Sequence, residues 1–157
     1  MKIEEHQQLA KSLMVKHGVP NWRVRYFNRR HTFGQCRHRE QAFYYSKYMV
    51  LLNSIERCTE NILHEIAHAL TPGAKHGPVW KRKAIELGIK PQRCWSSANT
   101  VAPKPKWQAM CSKHGKRGMY NRRGNLECGS CRKEGMRTPL TYVINPEVFK
   151  NVLDSSN

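Results

Sequence analysis

The stretch NILHEIAHAL, residues 61–70, constrains this chain more than any other. Ile55, Cys58, Ile62, Ile66 and Leu70 recur at helical spacing through and before it. That period predicts a long amphipathic helix with one side in a core. Ser54 or Thr59 can cap its start. The TPG that follows should break it near Thr71. On such a helix His64 and His68 share a face, with Cβ atoms about 5–6 Å apart. Two imidazoles so placed can reach one zinc ion at about 2.0–2.1 Å per bond. Glu65 is turned about 100° from His64, out of the pair but near enough to accept a proton from water at the metal.

A catalytic zinc takes three protein ligands and leaves one position open. Two residues can supply the third. His76 lies where the chain returns after TPG, in KHGPVW, and Glu86 lies on the next predicted helix, about Pro78 to Leu87. A lone histidine on a helix face is ordinarily structural. That reading has to account here for His64, Glu65 and His68 together, with a further histidine downstream.

A second constellation follows. CSKHG and CGSC give Cys111-x2-His114 and Cys128-x2-Cys131, with thirteen residues between the pairs. Two close pairs of thiolate and imidazole donors are the pattern of a closed tetrahedral zinc site. A ribbon this small cannot bury enough apolar surface alone, so the metal would supply much of its folding energy. Between the pairs runs the basic stretch KRGMYNRRGNLE. Lys113, Lys116, Arg117, Arg122 and Arg123 can meet phosphates there while Tyr120 stacks on a base. The competing reading is a solvated hairpin. Cys36, Cys58 and Cys94 lack such partners, and Cys58 falls on the apolar stripe as a buried thiol.

Charge points the same way. Lys and Arg total 28 against 11 acidic residues, a net +17, and such an excess attracts polyanions, among which nucleic acid is the commonest in cells. No apolar run approaches the roughly 18 residues a membrane span needs. The start of the chain is charged and has no apolar signal core. We therefore expect an intracellular protein, cytoplasmic or nucleoid-associated, with no membrane and reduced cysteines.

The rest of the chain supplies a small scaffold. Ile3, Leu9, Leu13 and Met14 predict a first helix over 2–17, stopped by Gly18. NWRVRYFN, HTFGQCRHR and QAFYYS predict three short strands. SKYMVLLNS is ambiguous between a helical turn and a strand. SSANTVAPKPK, residues 96–106, has no periodicity and reads as a connecting stretch.

In its order of features, FGQCR, LHEIAHAL, HGPVWK and then the paired ligands at 111, 114, 128 and 131, the chain resembles the SprT-like metalloproteases. That family includes the Spartan-type enzymes that degrade proteins crosslinked to DNA. The resemblance covers about residues 5–135. It implies that His64, His68 and His76 bind a catalytic zinc, that Glu65 is the general base, and that the ribbon borders the active-site groove. One departure is His114, where many family ribbons carry a fourth cysteine; it should make that site weaker and more pH-sensitive.

The resulting expectation is an α+β protein with a small zincin-type core of about three helices and a short three-stranded sheet, plus a C-terminal zinc ribbon. We divide it into a metalloprotease core (1–98), a linker (99–106), the ribbon (107–143) and a tail (144–157). Two zinc ions are expected, one catalytic and one structural. The expected function is a zinc endopeptidase, monomeric, acting on DNA-associated or DNA-crosslinked proteins with DNA as partner. The alternative is a non-catalytic, zinc-stabilised nucleic-acid-binding protein. Glu65 discriminates, because a structural site has no use for a carboxylate beside an open coordination position.

Overall fold

The computed structural model describes residues 1–92 and 100–145. Cys94, the end of the expected core at 93–98, residue 99 of the linker and the tail beyond 145 lie outside the described residues. The chain divides into two compact units, Met1–Pro103 and Lys104–Asn157.

The first unit is built on α1 (Ile3–Lys16), β1 (Arg23–Phe27), β2 (Gly34–Arg37), β3 (Ala42–Ser46), α2 (Lys47–Leu52), α3 (Ile55–Leu70) and α4 (Pro78–Glu86). A 3-10 turn, His38–Glu40, joins β2 to β3. The sheet order is β1-β3-β2, with β1 parallel and β2 antiparallel to β3. β2 is therefore an outer strand, with one edge not paired in the sheet. The ambiguous SKYMVLLNS forms α2, because the Ser46 hydroxyl accepts the Met49 N–H at 3.3 Å and starts a helix where the strand ends.

α3 begins at Ser54, whose hydroxyl accepts the Arg57 N–H. The expected stripe is only partly buried. Cys58, Ile62 and Ile66 are fully enclosed, whereas Ile55 at the exposed first turn is 54% accessible. The helix packs against α1, β2 and α4. Ala10 and Met14 of α1, Phe43 and Tyr45 of β3 and Met49 and Val50 of α2 complete the core around Ile62 and Ile66. Each such large side chain contributes about 1.5–3 kcal/mol by leaving water. That packing holds the histidine-bearing flank of α3 in place.

The second unit has β4 (Trp107–Cys111), β5 (Gly115–Tyr120), a one-turn helix α5 (Gly129–Lys133) and β6 (Thr141–Ile144). Its antiparallel sheet has the order β5-β4-β6. Gly115, at φ +64°, makes the turn after His114. Among the described residues no helix is long and apolar enough to cross a membrane.

Candidate metal centres

The last two turns of α3 present His64 and His68, and the following turn brings back His76. Thr71 ends the helix while its hydroxyl donates to the Ala67 carbonyl at 2.7 Å. Gly73 (φ +78°) and Lys75 (φ +49°) then take left-handed backbone to reverse the chain. Gly77 and Pro78 start α4 directly after His76.

His76 Nε2 lies 3.1 Å from His68 Nε2 and 3.3 Å from His64 Nε2. Three nitrogens bound tetrahedrally at about 2.0–2.1 Å would sit about 3.3 Å apart. The donor set therefore fits zinc. Glu86, the other candidate third ligand, is absent from this cluster; its carboxylate pairs with Lys83 on the exposed side of α4. Burial, then the neighbouring imidazoles, lowers the His64 pKa to about 3. Burial and His76 lower that of His68 to about 4. Both rings are therefore neutral, which is the ligating form.

Beneath them stands Trp80, a residue the sequence reading overlooked. It is completely buried, with ring centroids 4.7, 5.2 and 4.6 Å from those of His64, His68 and His76. Its first turn of α4 is brought against α3 by Ala67 and Ala84, whose small side chains permit the close approach. The indole thus backs all three imidazoles and limits their ring orientations.

Glu65 is 4% exposed on the adjoining flank and lines the same cleft, of about 940 Å³. Burial raises its pKa to about 8, against the opposing hydrogen bond from the Cys36 N–H of β2. A carboxyl titrating near neutrality is suited to taking and returning a proton. Gly34 of β2 explains how it fits there: a Cβ at that position would lie 2.5 Å from Glu65 Oε1. Cys36 is half-buried, and its thiol pKa is pushed up to about 12 by burial and by Glu65. It is not poised as a nucleophile.

In the second unit Cys111, His114, Cys128 and Cys131 converge. The Cys111 and Cys131 sulfurs are 3.7 Å apart. His114 Nδ1 lies 3.8, 3.6 and 3.2 Å from the sulfurs of Cys111, Cys128 and Cys131. A tetrahedron with Zn–S of about 2.3 Å and Zn–N of about 2.0–2.1 Å requires roughly 3.7 Å between sulfurs and 3.5 Å from sulfur to nitrogen. This donor set also fits zinc. Burial opposes ionisation of Cys111, but hydrogen bonds from the His114 and Lys113 backbone help to bring its pKa down to about 6. Glu134, twenty residues from His114 in sequence, accepts at 3.0 Å from the other ring nitrogen, Nε2. That bond selects the tautomer that leaves Nδ1 free for metal.

The expected nucleic-acid residues are dispersed around this unit. Lys113 is paired with Glu134 at 2.7 Å, and Arg117 donates to the Ser130 hydroxyl at 2.7 Å. Tyr120 is half-buried and meets Tyr142 edge-on at 5.9 Å. Lys116, Arg122 and Arg123 are exposed. The Arg123 guanidinium lies 4.8 Å over the ring of Trp107, and Lys106 approaches the same ring at 5.3 Å. Trp107 was not singled out from sequence, although an aromatic beside Lys106 is a signal that could have found it.

Fold and first cluster together define an α+β domain of the zinc metalloprotease type. The chain belongs to the SprT-like family, whose model matches residues 3–99, more than half of its length. No curated protein and no solved structure matches it.

Proposed function

We propose that this protein is a zinc-dependent endopeptidase that acts on DNA-associated or DNA-crosslinked proteins. The observation that carries the reading is the convergence of three imidazoles, at 3.1 and 3.3 Å, in one cleft with a buried carboxyl. His64, His68 and His76 would hold the catalytic zinc. Cys111, His114, Cys128 and Cys131 would hold a second, structural one. Bound zinc supplies Lewis acidity that polarises a carbonyl and acidifies water.

The chain's own residues do the rest. Glu65 accepts the proton that the attacking water gives up, holds it on its buried carboxyl and hands it to the leaving nitrogen. Gly34, Gln35 and Cys36 of the outer strand β2 line the same cleft. Such an edge suits an extended peptide, which can add to it by backbone hydrogen bonds. Trp80 keeps the imidazoles oriented, so little reorganisation accompanies metal binding.

The net charge of +17 supports DNA as the partner that brings substrates to the enzyme. Lys116, Arg122 and Arg123 are exposed for phosphates, and Trp107 and Tyr120 offer ring faces or edges for bases. Lys113 and Arg117 would act from within their existing pairs. We assign the protease to residues 1–98 and DNA contact to the ribbon, 107–143, in a monomer found in the cytoplasm or at the nucleoid.

The test is cleavage of a DNA-binding protein with and without DNA, by wild type and Glu65→Gln. We expect wild-type cleavage that DNA enhances and rising salt suppresses. Glu65→Gln should lose about 10²–10⁴ in rate while keeping its zinc. Equal cleavage by both proteins, or none under any DNA condition, would leave the non-catalytic zinc-stabilised binding protein as the better account.

A further inference from the structure

We infer that Asn61 contacts the substrate, accepting a hydrogen bond from the leaving nitrogen of the peptide bond being cut. The inference rests on the peptidase reading above. Asn61 lies three residues before His64 and four before Glu65 on α3, so its side chain shares their part of the helix surface. It is 6% exposed and lines the same cleft. Its Oδ1 is buried and has no hydrogen-bond partner among the described residues. Buried polar atoms are nearly always paired, so an unpaired one on a residue of the cleft wall leaves an acceptor for a donor from outside the chain.

The placement of that oxygen identifies the donor. A Cβ built on Gly34 would meet Glu65 Oε1 at 2.5 Å and Asn61 Oδ1 at 2.8 Å. The two side-chain oxygens thus flank one point beside the outer strand. In the proposed reaction Glu65 delivers its proton to the leaving nitrogen, which must therefore arrive beside Glu65, the close neighbour of Asn61. As the C–N bond breaks, the nitrogen keeps the bonding pair, takes the proton from Glu65 and departs as an amine. It then carries an additional N–H, and Asn61 Oδ1 is the free acceptor beside it. Asn61 forms only this hydrogen bond and exchanges no proton. A Cβ on Gly34 would displace both oxygens at once.

The same carboxamide turned over would place Nδ2 against the Glu65 carboxylate. Asn61 would then orient Glu65 and touch no substrate. Paired substrates separate the two cases. The kcat/KM of zinc-loaded wild type and Asn61→Leu is measured on a peptide and on its analogue with an ester at the scissile bond, which has no N–H to donate. Asn61→Ala serves as a second truncation should leucine perturb folding. Zinc content is measured on every protein and should match wild type.

We expect the variant to lose roughly 10–100-fold on the amide and to be nearly unchanged on the ester. An equal loss on both substrates, or no loss on the amide, overturns the inference while leaving the peptidase intact. A wild type that cuts neither substrate overturns both.

Discussion

In the first unit two imidazoles on the flank of a helix meet a third from the turn after it, and the helix's other side is locked into a core of Phe43, Tyr45, Met49, Ile62 and Ile66. In the second, the buried cluster is Cys111, Cys128 and Cys131 themselves, with Leu140 alone among the described residues packed against it. The first unit can therefore form its cleft before any ion arrives. The second has little apolar surface to fold around, and its donors are its interior. The donor counts agree with this division. Three nitrogens leave a tetrahedral position open for chemistry, whereas three sulfurs and a nitrogen close it.

The sharpest way to break this contrast is to remove a ribbon ligand. Structural zinc in small domains supplies about 10–16 kcal/mol of apparent folding energy. Cys128→Ser should collapse the dispersed amide NMR signals of residues 107–144 while those of the first unit persist. A ribbon that stays folded without its ligand would end the distinction.

Next in size is the first unit's own packing. Trp80→Ala removes a fully buried indole and should cost about 3–5 kcal/mol in denaturant unfolding of that unit. It should also weaken zinc binding, because the imidazoles lose their backing. Undiminished zinc affinity would show that Trp80 serves the core alone.

Acid should act on the two units by different routes. His6 is fully buried in the first unit, its Nδ1 2.9 Å from the Tyr26 hydroxyl. Burial, and secondarily the N-terminal ammonium, lowers its pKa from 6.5 to about 4. Between those values the unfolded chain takes up a proton that the folded chain refuses. The stability contributed by this group is therefore present above pH 6.5 and lost as pH falls towards 4, by about 3 kcal/mol in all. His6→Phe should flatten that slope in unfolding titrations, and an unchanged slope would assign it elsewhere. The ribbon should instead lose its ion as His114 and the thiolates take up protons.

The smallest effect concerns β2. Gly34→Ala forces a carbon against Glu65 and Asn61, an overpacking that should cost about 1–3 kcal/mol. Its mark is a fall in turnover at unchanged zinc content; full turnover would mean that both side chains can move aside freely.

How far these features could be read from sequence follows from how local each one is. His64, Glu65 and His68 lie within one and a half turns of a single helix, so spacing alone places them together. His76 shared the third-ligand position with Glu86 in the residues alone, and the resemblance favoured it; the short turn after Thr71 is what brings it to the pair. The ribbon ligands announce themselves as two close pairs. Trp80 was hidden because the inward face of α4 is decided by its packing on Ala67 of another helix. Glu134 was hidden because its bond to His114 spans twenty residues and exists only once the ribbon has closed. Lys113 and Arg117 read simply as positive charge, and only the fold reveals their pairing within the ribbon. The short helix α2 stayed ambiguous because six residues carry little periodicity; the Ser46 cap decides it.

The claim that joins these observations is that the chain holds two ions of different kinds. Native mass spectrometry of the purified protein tests it most directly. We predict two zinc ions per wild-type chain, one in His64→Gln and one in Cys131→Ser, with unfolding of the ribbon only in the latter. A single zinc in the wild type, or two retained by His64→Gln, would contradict the account.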